Sequence, residues 1–307
     1  MFDLTNPIFT DAEKAREHLE RINWPEGPFC PHCGEVENVH RLQGKSHRAG
    51  LIQCNSCLKN FTVTVGTVFE RSKVPLNKWM LATYLLSSSK KGMSAHQIHR
   101  MLGVTYKTAW FMCHRIREAM KPGDNGPMGG PNSYVEVDET FVGGKSRNRA
   151  FREPAKKKIV VALVERDNMM TGQVRSFHVA NVQAGTLRPL VVTNVKRDTY
   201  LLTDKASHYR RFGKEFATHG STDHGEGQYV VDVVNHTNTV ENFFSIFKRG
   251  VIGTYHHMSE CHLHRYTAEF DFRYNTRGDN DRERADKVLA GIVGKRLTYR
   301  RTDKLAA

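Results

Sequence analysis

Nothing in this chain of 307 residues predicts a membrane span, an export leader or a disulfide framework. No apolar run reaches the roughly 18 residues that would cross a bilayer, so no membrane partner is expected. The first residues, MFDLTNPIFTDAEK, carry no basic segment followed by an apolar run, so no secretory signal is expected and a cytoplasmic location follows. Six cysteines are few for a disulfide scaffold, and four of them fall in two C-x-x-C pairs. In a reducing cytosol that pattern points to metal rather than to disulfides. Acidic residues are also scarce: 32 Asp and Glu against 46 Lys and Arg leave a formal charge of +14. Such a balance implies a polyanionic partner, most often nucleic acid. Hydrophobic residues at 39% and charged residues at 25% exclude a wholly disordered chain. At about 150 residues per domain the length predicts two domains with a small further module.

The basic excess is local. Residues 71–121 hold ten Lys and Arg against the single acid Glu118. KPGDNGPMGGPN follows, too rich in Pro and Gly to continue a helix or a central strand, and marks a linker. The boundaries are then a zinc-binding module with a short N-terminal helix over 1–70, a helical DNA-binding module over 71–121 and a linker over 122–133. An α/β domain over 134–276 and a basic tail over 277–307 with one helix complete the chain. Strands are expected at YVEVDETFVGG, KKKIVVALVERD, QVRSFHVA, TYLLTD and QYVVDVV (228–234). Helices are expected near Leu187–Val192, across HYRRFGKEFATH, and from Thr239 to about Tyr274.

Cys30-Pro-His-Cys33 and Cys54-Asn-Ser-Cys57 are separated by 20 residues. Each pair can set two thiolates on one tight turn, and two turns supply a tetrahedron for one structural Zn2+. The segment is short and polar, so the metal would supply much of its folding free energy. His32 or His47 could replace one ligand. Cys113 and Cys261 sit in helical patterns and read as small core residues.

Ser94-Ala-His-Gln97 reads as a capping box that opens a helix with Ala95, Ile98 and Leu102 inward. Gly103-Val104 turns the chain, and Thr105 caps a second helix whose core positions are Ala109, Cys113, Ile116 and Met120. With an earlier helix over Lys78–Ser88 this makes a helix-turn-helix, whose second helix can enter a DNA major groove. The alternative is a plain helical hairpin with a solvated basic face. The adjacent zinc module and the concentrated charge favour DNA, with Lys107, Thr108 and Arg115 as the contacts.

Three carboxylates are candidates for catalysis. Alternation in YVEVDET puts Asp138 on the face of Glu136, opposite Val135 and Val137. TYLLTD ends its apolar run at Asp204. In NHTNTVENFFSIFKRG one helix face carries Glu241, Ser245 and Lys248, beside Phe243, Phe244, Phe247 and Val251, which would pack on the sheet. Three such carboxylates can hold two hard cations about 3.5–4 Å apart, a pair suited to phosphodiester displacement. Each residue also has a plain reading: a solvated Asp138, a strand-ending Asp204, and a Glu241 that only completes a capping box with Asn238.

The chain resembles the zinc-ribbon transposases of bacterial insertion sequences, the ISXO-type group related to the eukaryotic Merlin elements. The matching stretches are CPHCG, CNSC, GTVFERSKVPLNKW, GVTYKTAWFMCHRIR, VDETFVGGK, LLTD, HTNTVENFFSIFKRGVIGTYH and HLHRYTAEFDFRYN. The resemblance implies a ribonuclease H-like domain with a mixed five-stranded sheet and flanking helices, preceded by a zinc ribbon and a helix-turn-helix. It implies a DDE triad of Asp138, Asp204 and Glu241, with 36 residues between the last two. Asn242 is the neighbour that a shifted match would put in the third place, but it turns about 100° away on the helix. Lys248 stands where such helices carry a base that contacts a DNA phosphate. His236, His256, His257, His262 and His264 are read as phosphate donors or helix residues rather than a metal cluster. The implied function is DNA transposition: binding of terminal inverted repeats, then hydrolysis and strand transfer with two Mg2+, for which Mn2+ can substitute. The implied partners are double-stranded DNA, as element ends and target, and further copies of the chain, a homodimer or higher assembly, in the bacterial cytosol or nucleoid. The alternatives are a ribonuclease H-like nuclease or resolvase that cuts without joining, and a DNA-binding regulator derived from a transposase. The intact carboxylates speak against the regulator.

Overall fold

The computed structural model describes residues 4–123, 126–143, 157–166, 171–204, 206–222 and 237–298. The chain divides into two compact units, Met1–Lys121 with Gly278–Ala307, and Pro122–Arg277.

In the first unit, Asp11 caps α1 (Ala12–Asn23) by accepting from the Glu13 and Lys14 N–H groups. A small antiparallel sheet follows, of β1 (Val39–Arg41), β2 (Ile52–Cys54) and β3 (Asn60–Phe61). Its core is minimal: Cys30, Ile52, Cys54 and Phe61, with Trp24 edge-on to Phe61. Then come α2 (Leu76–Ser88), α3 (Ala95–Leu102) and α4 (Tyr106–Met120). Ser94 caps α3 through the Gln97 N–H, and Thr105 caps α4 through the Thr108 N–H. Gly103 ends α3 at φ 60°, the left-handed conformation that glycine adopts without a Cβ penalty. The segment after residue 277 is not a detached tail. Its helix α9 (Asp281–Ala290), opened by a reciprocal Asn280–Glu283 capping box, packs against α1, α2 and α4. Val288, Leu289 and Ile292 are buried there, and His18 meets Asp286 at 2.9 Å.

The second unit is built on a five-stranded sheet of β4 (Tyr134–Val142), β5 (Lys158–Arg166), β6 (Thr171–Val179), β7 (Tyr200–Asp204) and β8 (Thr218–Thr222), in the order β6-β5-β4-β7-β8. β4, β5 and β6 form an antiparallel meander, and β7 and β8 add in parallel. This is the mixed ribonuclease H-like sheet that the resemblance implies. On one face α5 (Ala184–Asn194) and α6 (Ser207–Gly213) cover Val135, Val137, Val161, Leu163 and Leu201. On the other, α7 (Asn238–Gly250) and α8 (Glu260–Asn275) cover Val142, Val160, Ala162 and Val164.

Three local expectations change. The helix expected across HYRRFGKEFATH stops at Gly213, and Thr218 and His219 belong to β8. Gly213 lies so close to the His219 ring that a Cβ there would meet Nδ1 at 2.3 Å, so helix and strand are pressed together. The helix expected from Thr239 to Tyr274 is two helices: α7 runs into a π turn, Val251–Tyr255, and His256 at φ 55° breaks the chain before α8. Cys113 is buried as expected, whereas Cys261 is exposed, because α8 turns Leu263, Tyr266 and Phe270 inward and leaves position 261 out of phase. QYVVDVV and His236 lie outside the described residues. Among the described residues no helix is long and apolar enough to cross a membrane.

Candidate functional site

Parallel pairing of β4 with β7 sets Val137 beside Thr203, so the next residues, Asp138 and Asp204, stand side by side. Alternation puts both on the face covered by α7 and α8. Asp138 Oδ1 accepts the Glu139 N–H at 2.8 Å, and Asp204 Oδ1 accepts the Ala206 N–H at 3.0 Å. Glu241 lies exposed in the first turn of α7. The Asp138 carboxyl is pushed up to about 7, first by burial, then by the charges of Glu139, Asp204 and Glu241 against the Glu139 N–H bond that lowers it. Asp204 and Glu241 therefore both bear on the Asp138 charge. The donor set is hard oxygen at the open end of a sheet, which fits divalent cations of the magnesium class.

The sequence pattern places Glu136 on the face of Asp138 but assigns it no task. It is fully buried. Its Oε2 accepts the Val240 N–H at 2.8 Å, and its Oε1 lies 3.1 Å from Arg166 Nε. Burial raises its pKa, while the bonds from Val240 and Thr239 and the charge of Arg166 oppose that rise. Glu136 thus caps α7 from the central strand. The helix begins after Thr237, so Glu241 is its fourth residue, one past the position a capping-box glutamate occupies. The signal was present in the sequence: a charged residue at an inward position of a strand needs a buried partner. On the opposite face, Glu139 accepts the Tyr209 hydroxyl at 2.6 Å. Lys248 is exposed on α7, on the side of Glu241 and Ser245.

Cys30, Cys33, Cys54 and Cys57 have their sulfurs within 4.8 Å of one another. Cys30 to Cys57 and Cys33 to Cys54 are each 3.6 Å. A tetrahedron with Zn–S bonds of about 2.3 Å sets its sulfurs roughly 3.8 Å apart, so the set fits one zinc ion. The thiols split as crowded acids do. Burial raises Cys30, but the His32 and Cys33 backbone N–H groups and the Cys33 and Cys57 side chains outweigh it and bring it down to about 7. For Cys33 the Glu35 N–H is outweighed by burial and the three other thiols, which push it up to about 12. Among the described residues no carboxylate cluster is drawn together as tightly as these sulfurs.

On the helix-turn-helix, Lys107 is exposed and Thr108 half-buried. They border a cavity of about 300 Å³ with Arg71 and Lys73, floored by Trp79 and Phe111. Arg115, expected to meet DNA, is only 9% exposed. Its guanidinium donates to the Leu297 and Glu70 carbonyls, each at 3.2 Å, and lies over the Phe111 ring. It ties the C-terminal segment to α4 rather than offering charge to solvent.

These features define a class: a metal-binding ribbon and a helix-turn-helix joined to a ribonuclease H-like domain of the DDE type. Residues 129–275 match the ISXO2-like transposase domain, and residues 10–60 match the transposase zinc-ribbon domain. Residues 129–275 thus belong to the ISXO2-like transposase domain family and residues 10–60 to the transposase zinc-ribbon family. It is 28% identical over 287 residues to an uncharacterized protein in transposable element ISH50 of Halobacterium salinarum, a match covering 86% of this chain and 91% of that one. Among solved structures, the Mos1 strand transfer complex aligns with 72% of this chain and 77% of its own, at 12% identity and a TM-score of 0.26.

Proposed function

We propose that this protein is a DNA transposase that binds the terminal inverted repeats of its element and catalyses both hydrolysis and strand transfer at Asp138, Asp204 and Glu241. The observation that carries this reading is the meeting of Asp138 and Asp204 on adjacent strand ends, with Glu241 close enough to bear on the Asp138 charge. The three carboxylates would hold two magnesium ions, or manganese in their place, which when bound would activate the attacking oxygen and neutralise charge on the leaving one. Two of these residues stand on strands and the third on a helix whose start Glu136 holds, which supports a site arranged before DNA arrives. A water oxygen first attacks phosphorus at the element end and releases a 3′-hydroxyl. That hydroxyl then attacks a target phosphodiester, forming one P–O bond as another breaks, with no covalent protein intermediate. Lys107 and Thr108 contact the element end, Lys248 contacts a phosphate near the carboxylates, and one structural zinc is held by the four cysteines.

The test pairs a gel shift with a cleavage and joining assay in magnesium, on labelled element ends. Asp204→Asn, Asp138→Asn and Glu241→Gln should each abolish cutting and joining while end binding persists. A double variant should be no worse than a single one, because the residues act as a unit. Lys248→Ala should weaken activity less. Normal cutting by Glu241→Gln would remove it from the site and direct attention to Asn242, and cutting without joining in the parent would make the protein a nuclease.

A further inference from the structure

The face of the second unit opposite α7 carries a positive trough that the three carboxylates do not use. A cavity of about 790 Å³ lies between α6 and β8, bordered by Arg210, Arg211 and Lys214 with Ser207, Thr218 and Ser221. All six are exposed. Among the described residues none of the three cations makes an ion pair. The contrast with their neighbours is direct: Arg188 and Arg197 both pair with Glu215, at 2.6 and 2.7 Å, so the acid at hand is already engaged. The floor is firm, since Tyr209 and Phe212 are buried and Gly213 presses on the His219 ring, whose Nε2 meets Thr203 Oγ1 at 2.9 Å.

Position gives the trough its meaning. Ser207 follows Asp204 by three residues, and Ser221 pairs with Thr203 at the end of the sheet where the carboxylates sit. From there to Thr218 the β8 edge runs three residues, about 10 Å at the rise of a strand. Three cations that pair with no described acid, along an open channel whose described lining has hydroxyls at both ends and no carboxylate, suit a sugar-phosphate backbone: negative at every step and without a base-specific contact. We propose that Arg210, Arg211 and Lys214 form a sequence-independent track for DNA backbone, carrying a strand past the end of the sheet on the side away from Lys248. This proposal rests on the transposase reading and extends it to a second contact surface on the catalytic unit.

The experiment uses the full chain and a labelled duplex of unrelated sequence, with affinity measured by fluorescence anisotropy over a range of sodium chloride. The variant Arg210→Gln/Arg211→Gln/Lys214→Gln should lower the slope of log K against log salt by about 2–3, near 0.9 for each phosphate that is no longer neutralised. A fourfold rise in salt would then cost the parent roughly 40-fold more affinity than the variant. Arg210→Lys/Arg211→Lys keeps the charge and should keep the parent slope. All five substitutions are at exposed sites, so melting temperatures should agree. An unchanged slope in the glutamine variant, with the parent still binding, would overturn the track and leave the transposase reading standing. A reduced slope in the lysine variant would overturn it too, because charge is retained there. A parent that binds no DNA at any salt would sink both.

Discussion

Asp271 sits inside the contact between α8 and the edge strand β6, where its two oxygens accept the Ser176 N–H at 2.8 Å and the Ser176 hydroxyl at 2.6 Å. Burial pushes its carboxyl up to about 7, against the opposing pull of those bonds and of Arg175. The unfolded value is near 3.9, so between about pH 4 and 7 the folded chain binds the extra proton. Stability from this group is therefore full below about pH 4 and is lost as pH rises through 7, by an amount on the order of a few kcal/mol. Asp271→Asn keeps the shape of the protonated acid. It should flatten that part of the profile, seen as a smaller drop in the urea midpoint from pH 4.5 to 7.5 than in the parent. Parallel profiles would mean that Asp271 does not titrate in this window. Arg115 and Lys107 make a second contrast, since both are basic residues of α4. Arg115→Ala takes the donor from two half-buried carbonyls and should cost about 2 kcal/mol of stability. Lys107→Ala should leave the melting temperature within error and lower affinity for element-end DNA. The reverse pattern would restore Arg115 to the DNA face and remove Lys107 from it.

At the scale of elements, α7 shows how one buried side chain can fix the start of the helix that carries Glu241. Glu136 accepts the Val240 N–H one residue before Glu241, and Arg166 holds the other oxygen. Glu136→Ala would remove the acceptor of the Val240 N–H and the carboxylate that lies 3.1 Å from Arg166, at about 3–5 kcal/mol. Glu136→Gln keeps an acceptor for the Val240 N–H but loses the charge that faces Arg166, and α7 should then start with more play. The expected signature is a higher magnesium midpoint for cleavage at unchanged DNA affinity, worse for alanine than for glutamine. A normal magnesium midpoint with only a lower melting temperature would confine Glu136 to stability. Much of this architecture is legible in sequence. Alternation in YVEVDET assigns the faces of β4, and the C-x-x-C spacing assigns the metal cluster, because both patterns repeat the geometry they build. The β8 strand was not legible. THGST has a glycine at its centre and no apolar alternation, and it becomes a strand because β7 offers it a parallel edge. Arg115 misled for a related reason: a helical wheel gives the direction of a side chain but not what the chain brings back to meet it, here Leu297 from far along the sequence.

At the scale of the whole molecule, the first unit is assembled from both ends of the chain. Residues after 277 return to it, and the contact is built from core as well as from polar groups. Val288 is 1% exposed, Leu289 2% and Ile292 0%, and α9 meets α1, α2 and α4. Val293 bridges Thr67, the Gly294 N–H donates to the Gly66 carbonyl at 2.9 Å, and Lys295 Nζ donates to the Ala119 and Lys121 carbonyls at 3.0 and 2.7 Å. These last bonds cap the end of α4, whose terminal carbonyls have no partner within the helix. The helix-turn-helix is therefore completed only when the second unit has been made and the chain has passed beyond it. Leu289→Ala removes buried methyl groups from this contact and should cost about 2–5 kcal/mol, depending on how far the site collapses. The destabilisation should be confined to the first unit. Hydrogen exchange should rise across α1, α2, α4 and α9 while β4, β5 and α8 stay protected, and binding to element ends should weaken at temperatures where the catalytic unit is still folded. Truncation after Arg277 should have the same effect in stronger form. Uniform exchange across both units in Leu289→Ala would show instead that they unfold as one, and that α9 stabilises the whole molecule rather than the first unit.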